Sequence, residues 1–138
     1  MRLLAVGYII MYVHILFHEL GHYFFAKMLL LKVVRVKIGN SMGQLSVGEI
    51  SISPIIGGGY VEIEQEEIES KSKIEVFLFF IAGIVAHVVL LILGKMIFNS
   101  LYAILNNLVG ISMIVVNCIP FFEESDISNM IRVLKKSE

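Results

Sequence analysis

Two histidines and a glutamate, in the stretch His18-Glu19-Leu20-Gly21-His22, stand inside a run that is otherwise almost wholly apolar. On a helix, positions i and i+4 share a face, so His18 and His22 can offer ring nitrogens to one ion. Glu19, one residue after His18 and three before His22, is close enough to reach a water on that ion. Two imidazoles, a carboxylate base and an open coordination position make up a zinc hydrolase site. Gly21 removes a side chain at the same turn and lets another backbone segment approach. A histidine in a membrane helix can instead bond a carbonyl of a neighbouring helix. Three ionisable groups on one apolar turn favour the metal.

The element that must position these groups is the surrounding run from Leu3 to Leu31. At about 1.5 Å per residue, a helix of that length crosses the roughly 30 Å hydrocarbon core of a bilayer. A charged side chain at membrane depth costs roughly 2.5–3.5 kcal/mol, so ionisable groups there mark a site. A second apolar block, Val76 to Gly94, holds only His87 as a polar side chain. A third, Leu101 to Phe122, contains Asn106, Asn107, Ser112 and Asn117. Helices are expected at about 3–31, 76–94 and 101–119. The short stretch Lys95 to Ser100 makes the second and third an antiparallel hairpin.

Composition agrees. Of the 138 residues 57% are hydrophobic and 17% charged, with a mean hydropathy of +0.85. Soluble domains average about 45–50% apolar and about 25% charged, and so much apolar surface does not fit inside so small a globule. The expected fold is a single integral-membrane domain, mainly α, spanning residues 1–138. A net charge of −1 gives no reason to expect a nucleic-acid partner. Cys118 is the single cysteine and is expected to be an inert buried thiol. Arg2 precedes an apolar stretch as in a secretory signal, but no small-x-small cleavage site follows, so the segment is expected to be retained.

Basic residues set the expected orientation. Lys27, Lys32, Arg35, Lys37, Lys71 and Lys73 flank or occupy the segment between the first two helices, and Arg132, Lys135 and Lys136 lie in the tail. Only Arg2 and Lys95 lie on the other side. The positive-inside rule makes the loop and tail cytoplasmic. A multi-pass protein of the plasma membrane, with its site toward the cytoplasm, is expected. Within the loop, about residues 33–64, Val34, Val36 and Ile38 alternate with Val33, Arg35 and Lys37 as in a strand. Leu45 to Ile52 and Tyr60 to Ile63 also have strand character, separated by Pro54 and Gly57-Gly58-Gly59. A small antiparallel sheet or hairpin against the membrane face is expected. The acidic run from Glu62 to Glu69 is taken as a solvated face without a catalytic role.

A catalytic zinc usually takes three protein ligands plus water. The stretch Asn117-Cys118-Ile119-Pro120-Phe121-Phe122-Glu123-Glu124-Ser125-Asp126 offers carboxylates beyond a proline that disrupts the third helix. Glu123 and Glu124 are expected to cap or solvate a short amphipathic tail helix at about 127–135. Asp126 is either the third ligand or, like Ser125, an N-cap of that helix.

Together these residues resemble the site-2 protease family of intramembrane zinc metalloproteases. His18-Glu-Leu-Gly-His22 is similar to the family's zinc-binding helix motif. Pro54 followed by Gly58-Gly59-Tyr60-Val61 resembles its P-x-G-G-Y-V loop. Ala82-Gly83-Ile84-Val85-Ala86-His87 is similar to A-G-P-x-x-N, with Ile84 for proline and His87 for asparagine. Asn117-x-x-Pro120 with Asp126 resembles N-x-x-P-x-x-x-x-D-G. Here the aspartate lies six residues after the proline instead of five, Ser125 occupies the usual place, and Ile127 replaces glycine. The resemblance covers nearly the whole chain.

It implies Zn2+ held by His18, His22 and Asp126, with Glu19 as general base and Asn117 assisting at the oxyanion. It also implies that Gly58, Gly59 and Tyr60 contact substrate, a membrane-embedded peptide or single-span protein in the bilayer. The loop sheet would take up the unwound segment as an added strand. His87 is the reserve third ligand, more often a packed, hydrogen-bonded histidine, and His14 supports or packs. The alternatives are a catalytically inactive scaffold or binding protein on the same fold and, less well supported, a small metal-ion transporter.

Overall fold

A computed structural model describes residues 1–120 and 125–136. Glu123 and Glu124, expected to solvate the tail, lie outside the described residues. In chain order the elements are α1 (Arg2–Met28), β1 (Val33–Ile38), β2 (Leu45–Val47), β3 (Ile50–Ile52), β4 (Gly59–Ile63), α2 (Gln65–Glu69), α3 (Lys73–Ile97), α4 (Ser100–Cys118) and α5 (Asp126–Lys136). Helices α1, α3 and α4 are long and apolar enough to cross a bilayer. The mainly helical fold with a small sheet between the first two long helices is as the sequence led us to expect, but Cys118, expected to be buried, is exposed at the end of α4.

Helix boundaries follow from capping that the apolar pattern does not encode. The chain leaves α1 at Met28, short of the expected Leu31, through a Schellman motif. Leu31 N–H donates to the Ala26 carbonyl at 2.9 Å and Leu30 N–H to that of Lys27 at 3.2 Å. Leu30 takes the left-handed position at φ +56°. Such a conformation costs a non-glycine residue roughly 1–2 kcal/mol. Burial of Leu31, 3% exposed in the core, offsets it. Helix α3 starts earlier than its apolar run because Ser72 and Glu75 form a capping box. Only Phe98 and Asn99 separate α3 from α4, and Asn99 caps the latter by accepting from Tyr102 N–H at 3.3 Å.

The sheet corrects one expectation. Its strand order is β2-β3-β1-β4. The β1/β4 and β2/β3 pairs are antiparallel, as expected, but β1 and β3 pair in parallel, so the sheet is mixed. After β1 the chain travels to the far edge to lay down β2. It then returns between them as β3, so β3 runs in the direction of β1. The turn at Gly48 (φ +59°) splits the expected strand Leu45–Ile52 in two. Period-two alternation marks strands but carries no information on partner direction.

Val33, Val36 and Ile38 of β1 pack with Ala26, Leu31, Ile68, Val76, Phe79 and Phe80 into a core joining the sheet to α1 and α3. Ile68 gives the acidic stretch an apolar anchor within α2. Within that stretch Glu64 is paired by Lys32, whose ammonium lies 3.1 Å away. At the hairpin tip Glu49 receives Lys27 at 2.7 Å and Tyr23 at 2.9 Å. Those two groups, Lys27 first, hold its carboxyl below the ordinary glutamate value. Helix α3 lies against α1 at Gly21, where a Cβ would come within 2.8 Å of the Ala82 carbonyl. The missing side chain admits a backbone, as its position suggested.

Candidate metal centre and active site

His18, Glu19 and His22 are buried along one side of α1, at 8%, 5% and 5% exposure. Asp126, at the first position of α5, is also buried. His18 Nε2 and His22 Nε2 are 3.2 Å apart. Asp126 places Oδ2 3.3 Å from His18 Nε2 and Oδ1 3.1 Å from His22 Nε2. One ligand atom from each of these residues lies within 4.8 Å of the other two. Metal–ligand bonds near 2.0–2.2 Å around a tetrahedral ion separate the ligand atoms by roughly 3–4 Å.

The donor set fits a cation. His22 Nδ1 lies 2.8 Å from the Phe79 carbonyl, which can only accept, so that nitrogen carries the proton and Nε2 the lone pair. Asp126 Oδ2 is buried without a hydrogen-bond partner among the described residues, although His18 Nε2 is beside it. A lone pair of His22 and an unpaired carboxylate oxygen of Asp126 therefore meet beside His18 Nε2 in one buried space, which a divalent ion would resolve. Burial pushes the Asp126 carboxyl up, and the adjacent His18 and His22 imidazoles more than offset this, holding it well below the usual carboxylate range.

Ser125, not Asp126, takes the N-cap role that the sequence left open between them. Ser125 is the N-cap of α5. Its Oγ accepts from Ser128 N–H at 3.2 Å and donates to the Ile119 carbonyl at 2.9 Å, while its own carbonyl accepts from Asn129 N–H. Asp126, one residue on, is left free to turn toward the histidines. The helix N-terminus also favours its negative charge.

A cavity of about 740 Å³ opens onto these groups. Glu19, Asn117 and the segment Gly58-Gly59-Tyr60 all line it. Glu19 packs directly on Gly59, where a Cβ would come 2.5 Å from Glu19 Cγ. Asn117 commits one amide hydrogen to the Met113 carbonyl at 3.0 Å. The glycine loop is held to α1 by two tyrosines whose role the sequence did not disclose. Tyr8 donates to the Pro54 carbonyl at 2.7 Å and accepts from Ile56 N–H, and Tyr12 donates to the Ser53 carbonyl at 2.7 Å. Their i, i+4 spacing on the face of the motif helix was the available signal. His87 lies outside the three-residue group; its ring stacks on His18 while Nδ1 faces His14.

A family model for peptidase family M50 matches residues 6–135. The chain belongs to peptidase family M50. This is the site-2 protease family that the motifs resembled, and the match runs from α1 through α5. A search of curated proteins finds no match to the chain. Membership in M50 supports an intramembrane metalloprotease-like function.

M50 membership also draws attention to Gly83, part of the motif on α3. A Cβ there would lie 2.5 Å from both His18 Nδ1 and His22 Nε2. Gly83→Ala is therefore expected to push both imidazoles out of register. Affinity for a divalent ion should fall, and overpacking should cost about 1–3 kcal/mol of stability. Chelator competition and thermal unfolding of the purified variant measure the two effects.

Proposed function

We propose that the protein is an intramembrane zinc metallopeptidase that hydrolyses a peptide bond within, or next to, the membrane in a small membrane-bound substrate. The observation that carries this reading is the convergence of His18, His22 and Asp126 on one buried point beside Glu19. When bound, Zn2+ supplies a Lewis acid and lowers the pKa of a water toward about 7.

Each residue has a task. His18, His22 and Asp126 would hold the ion. Glu19 takes a proton from the attacking water and delivers it to the leaving amine. Its burial excludes competing bulk water from that transfer. Asn117 has an amide hydrogen left to offer an oxyanion in the cavity.

A substrate helix keeps its backbone groups paired internally and must unwind before attack. Strand β4 is at the sheet edge and its Gly59, Tyr60 and Val61 line the cavity, so an unwound segment can pair along it. Glycine at position 59 lets that strand run against Glu19. The charge distribution supports an orientation with loop and tail in the cytoplasm.

The test uses the purified full chain in proteoliposomes with a panel of labelled single-span peptides. Cleavage near one end of the span is expected, abolished by chelator and restored by added Zn2+. Zinc uptake without cleavage of any peptide would favour the inactive scaffold, and cleavage indifferent to chelator would contradict the metal reading.

A further inference from the structure

The sheet turns outward a polar face that the proposed mechanism does not use. Strand pairing fixes which residues share it. Val36 and Ile38, with their partners Val61 and Gly59, point toward α1, so Arg35 and Lys37, with Glu62 and Tyr60 opposite, point away. Lys37 is also in register with Ser51, and Ser51 with Ser46. One row, Tyr60–Lys37–Ser51–Ser46, therefore crosses all four strands. A groove of about 390 Å³ lies along it, and Tyr60 lines both this groove and the metal cavity.

The row lies at membrane depth. Ile38, next to Lys37, pairs with Gly59, which packs on Glu19. Ser53 N–H donates to the Ile38 carbonyl at 2.8 Å, and the Ser53 carbonyl accepts from Tyr12. Lys37 is therefore level with the motif turn of α1. From Glu19 to the helix end at Met28 is about 14 Å at about 1.5 Å per residue. A cation that far inside a membrane span faces water or an anion instead of lipid, and it marks a site.

The anion is missing from the fold. No carboxylate pairs with Arg35 or Lys37 among the described residues. Glu62 stands opposite Arg35 without closing on it. Glu49, which also lines the groove, is taken by Lys27 and Tyr23. Lys37 Nζ donates to a neutral group, Ser41 Oγ, at 2.8 Å and lies 5.9 Å from the centre of the Tyr60 ring. It thus leans across β4, the edge strand.

A substrate segment added along β4 can supply what is missing. Its side chains alternate: those on the side of Gly59 and Val61 turn to the metal cavity, and their immediate neighbours turn to Tyr60 and Lys37. Strands lie about 4.8 Å apart, so the added one runs roughly 10 Å from β1. A glutamate on it and Lys37 reach toward each other over Tyr60. We infer that Lys37, with Arg35 beside it, selects substrates carrying an acidic side chain next to a residue presented to the metal. That selectivity rests on the peptidase reading and on pairing along β4, and it names the substrate class.

The test uses the full chain in phosphatidylcholine vesicles with labelled single-span peptides. Glu, Gln or Lys is placed in turn at each position of the unwinding end, and binding is measured by energy transfer apart from cleavage. At one or more positions, wild type should bind the Glu peptide about two- to fivefold more tightly than its Gln twin, and the Lys twin more weakly still. Lys37→Gln should erase that preference and Lys37→Glu reverse it, with the change in KM and not in kcat. Equal binding of the three peptides at every position overturns the assignment without any variant having to fold. A preference that persists in Lys37→Glu also overturns it, as does one abolished by added phosphatidylglycerol, which would give the groove to a lipid headgroup. A protein that shows the preference yet cuts none of the peptides sinks the peptidase reading and leaves the selection standing.

Discussion

Replacing Glu19 by glutamine is expected to reduce peptide cleavage by about 10²–10⁴-fold while leaving zinc content unchanged. The substitution keeps shape and volume at a position only 5% exposed, so packing against Gly59 survives. What it removes is the proton acceptor. Glu19 is not one of the three residues whose ligand atoms converge, so the ion's own donors stay in place. A rate assay beside metal analysis separates the two functions. Cleavage at the wild-type rate would take the general-base role away from Glu19; loss of zinc along with activity would make it a structural part of the metal site.

The second large effect belongs to Asp126. It is the sole member of the group not carried by α1, and it reaches the histidines from the start of another helix. Asp126→Ala should lower zinc affinity by more than the about 10–100-fold typical of losing an outer hydrogen-bond partner. Ser125→Ala is the control one residue away. It removes the N-cap of α5, costing about 0.5–2 kcal/mol of stability, but leaves the carboxylate in reach. Zinc affinity should therefore change little. If Ser125→Ala abolished binding and Asp126→Ala did not, the assignment of the third ligand would be wrong.

This pair also illustrates how far the sequence could be read. Two imidazoles and a carboxylate on an apolar turn have an unambiguous geometry, because i and i+4 share a helix face whatever surrounds them. The choice between Ser125 and Asp126 had no such local rule. It depends on where α5 begins, and that is set by Ser125 bonding both Ser128 and the Ile119 carbonyl at the end of α4. Long apolar helices were legible because membrane thickness imposes a length. Their ends were less so. At Leu30 the turn that stops α1 uses a leucine where glycine would have signalled it.

Long-range polar pairing was the least visible layer. His14 and His87 are distant in sequence, and neither shows by its local pattern that the other's ring is in contact. The same holds for Tyr8 and Tyr12, which look like ordinary aromatic residues of a membrane span until the loop at Ser53 and Pro54 is laid beside them. Strand character could be seen in Leu45 to Ile52, yet the parallel pairing of β1 with β3 follows from the route of the chain.

Whether one buried ion joins α1 to α5 is most directly measured by zinc-edge X-ray absorption on the purified full chain, with His22→Ala and Asp126→Ala alongside. The predicted result is one zinc per chain, bound by two imidazole nitrogens and a carboxylate oxygen at about 2.0–2.2 Å, with either substitution depleting it. A chain that takes up no zinc, or one whose zinc environment is the same in all three proteins, would contradict the account.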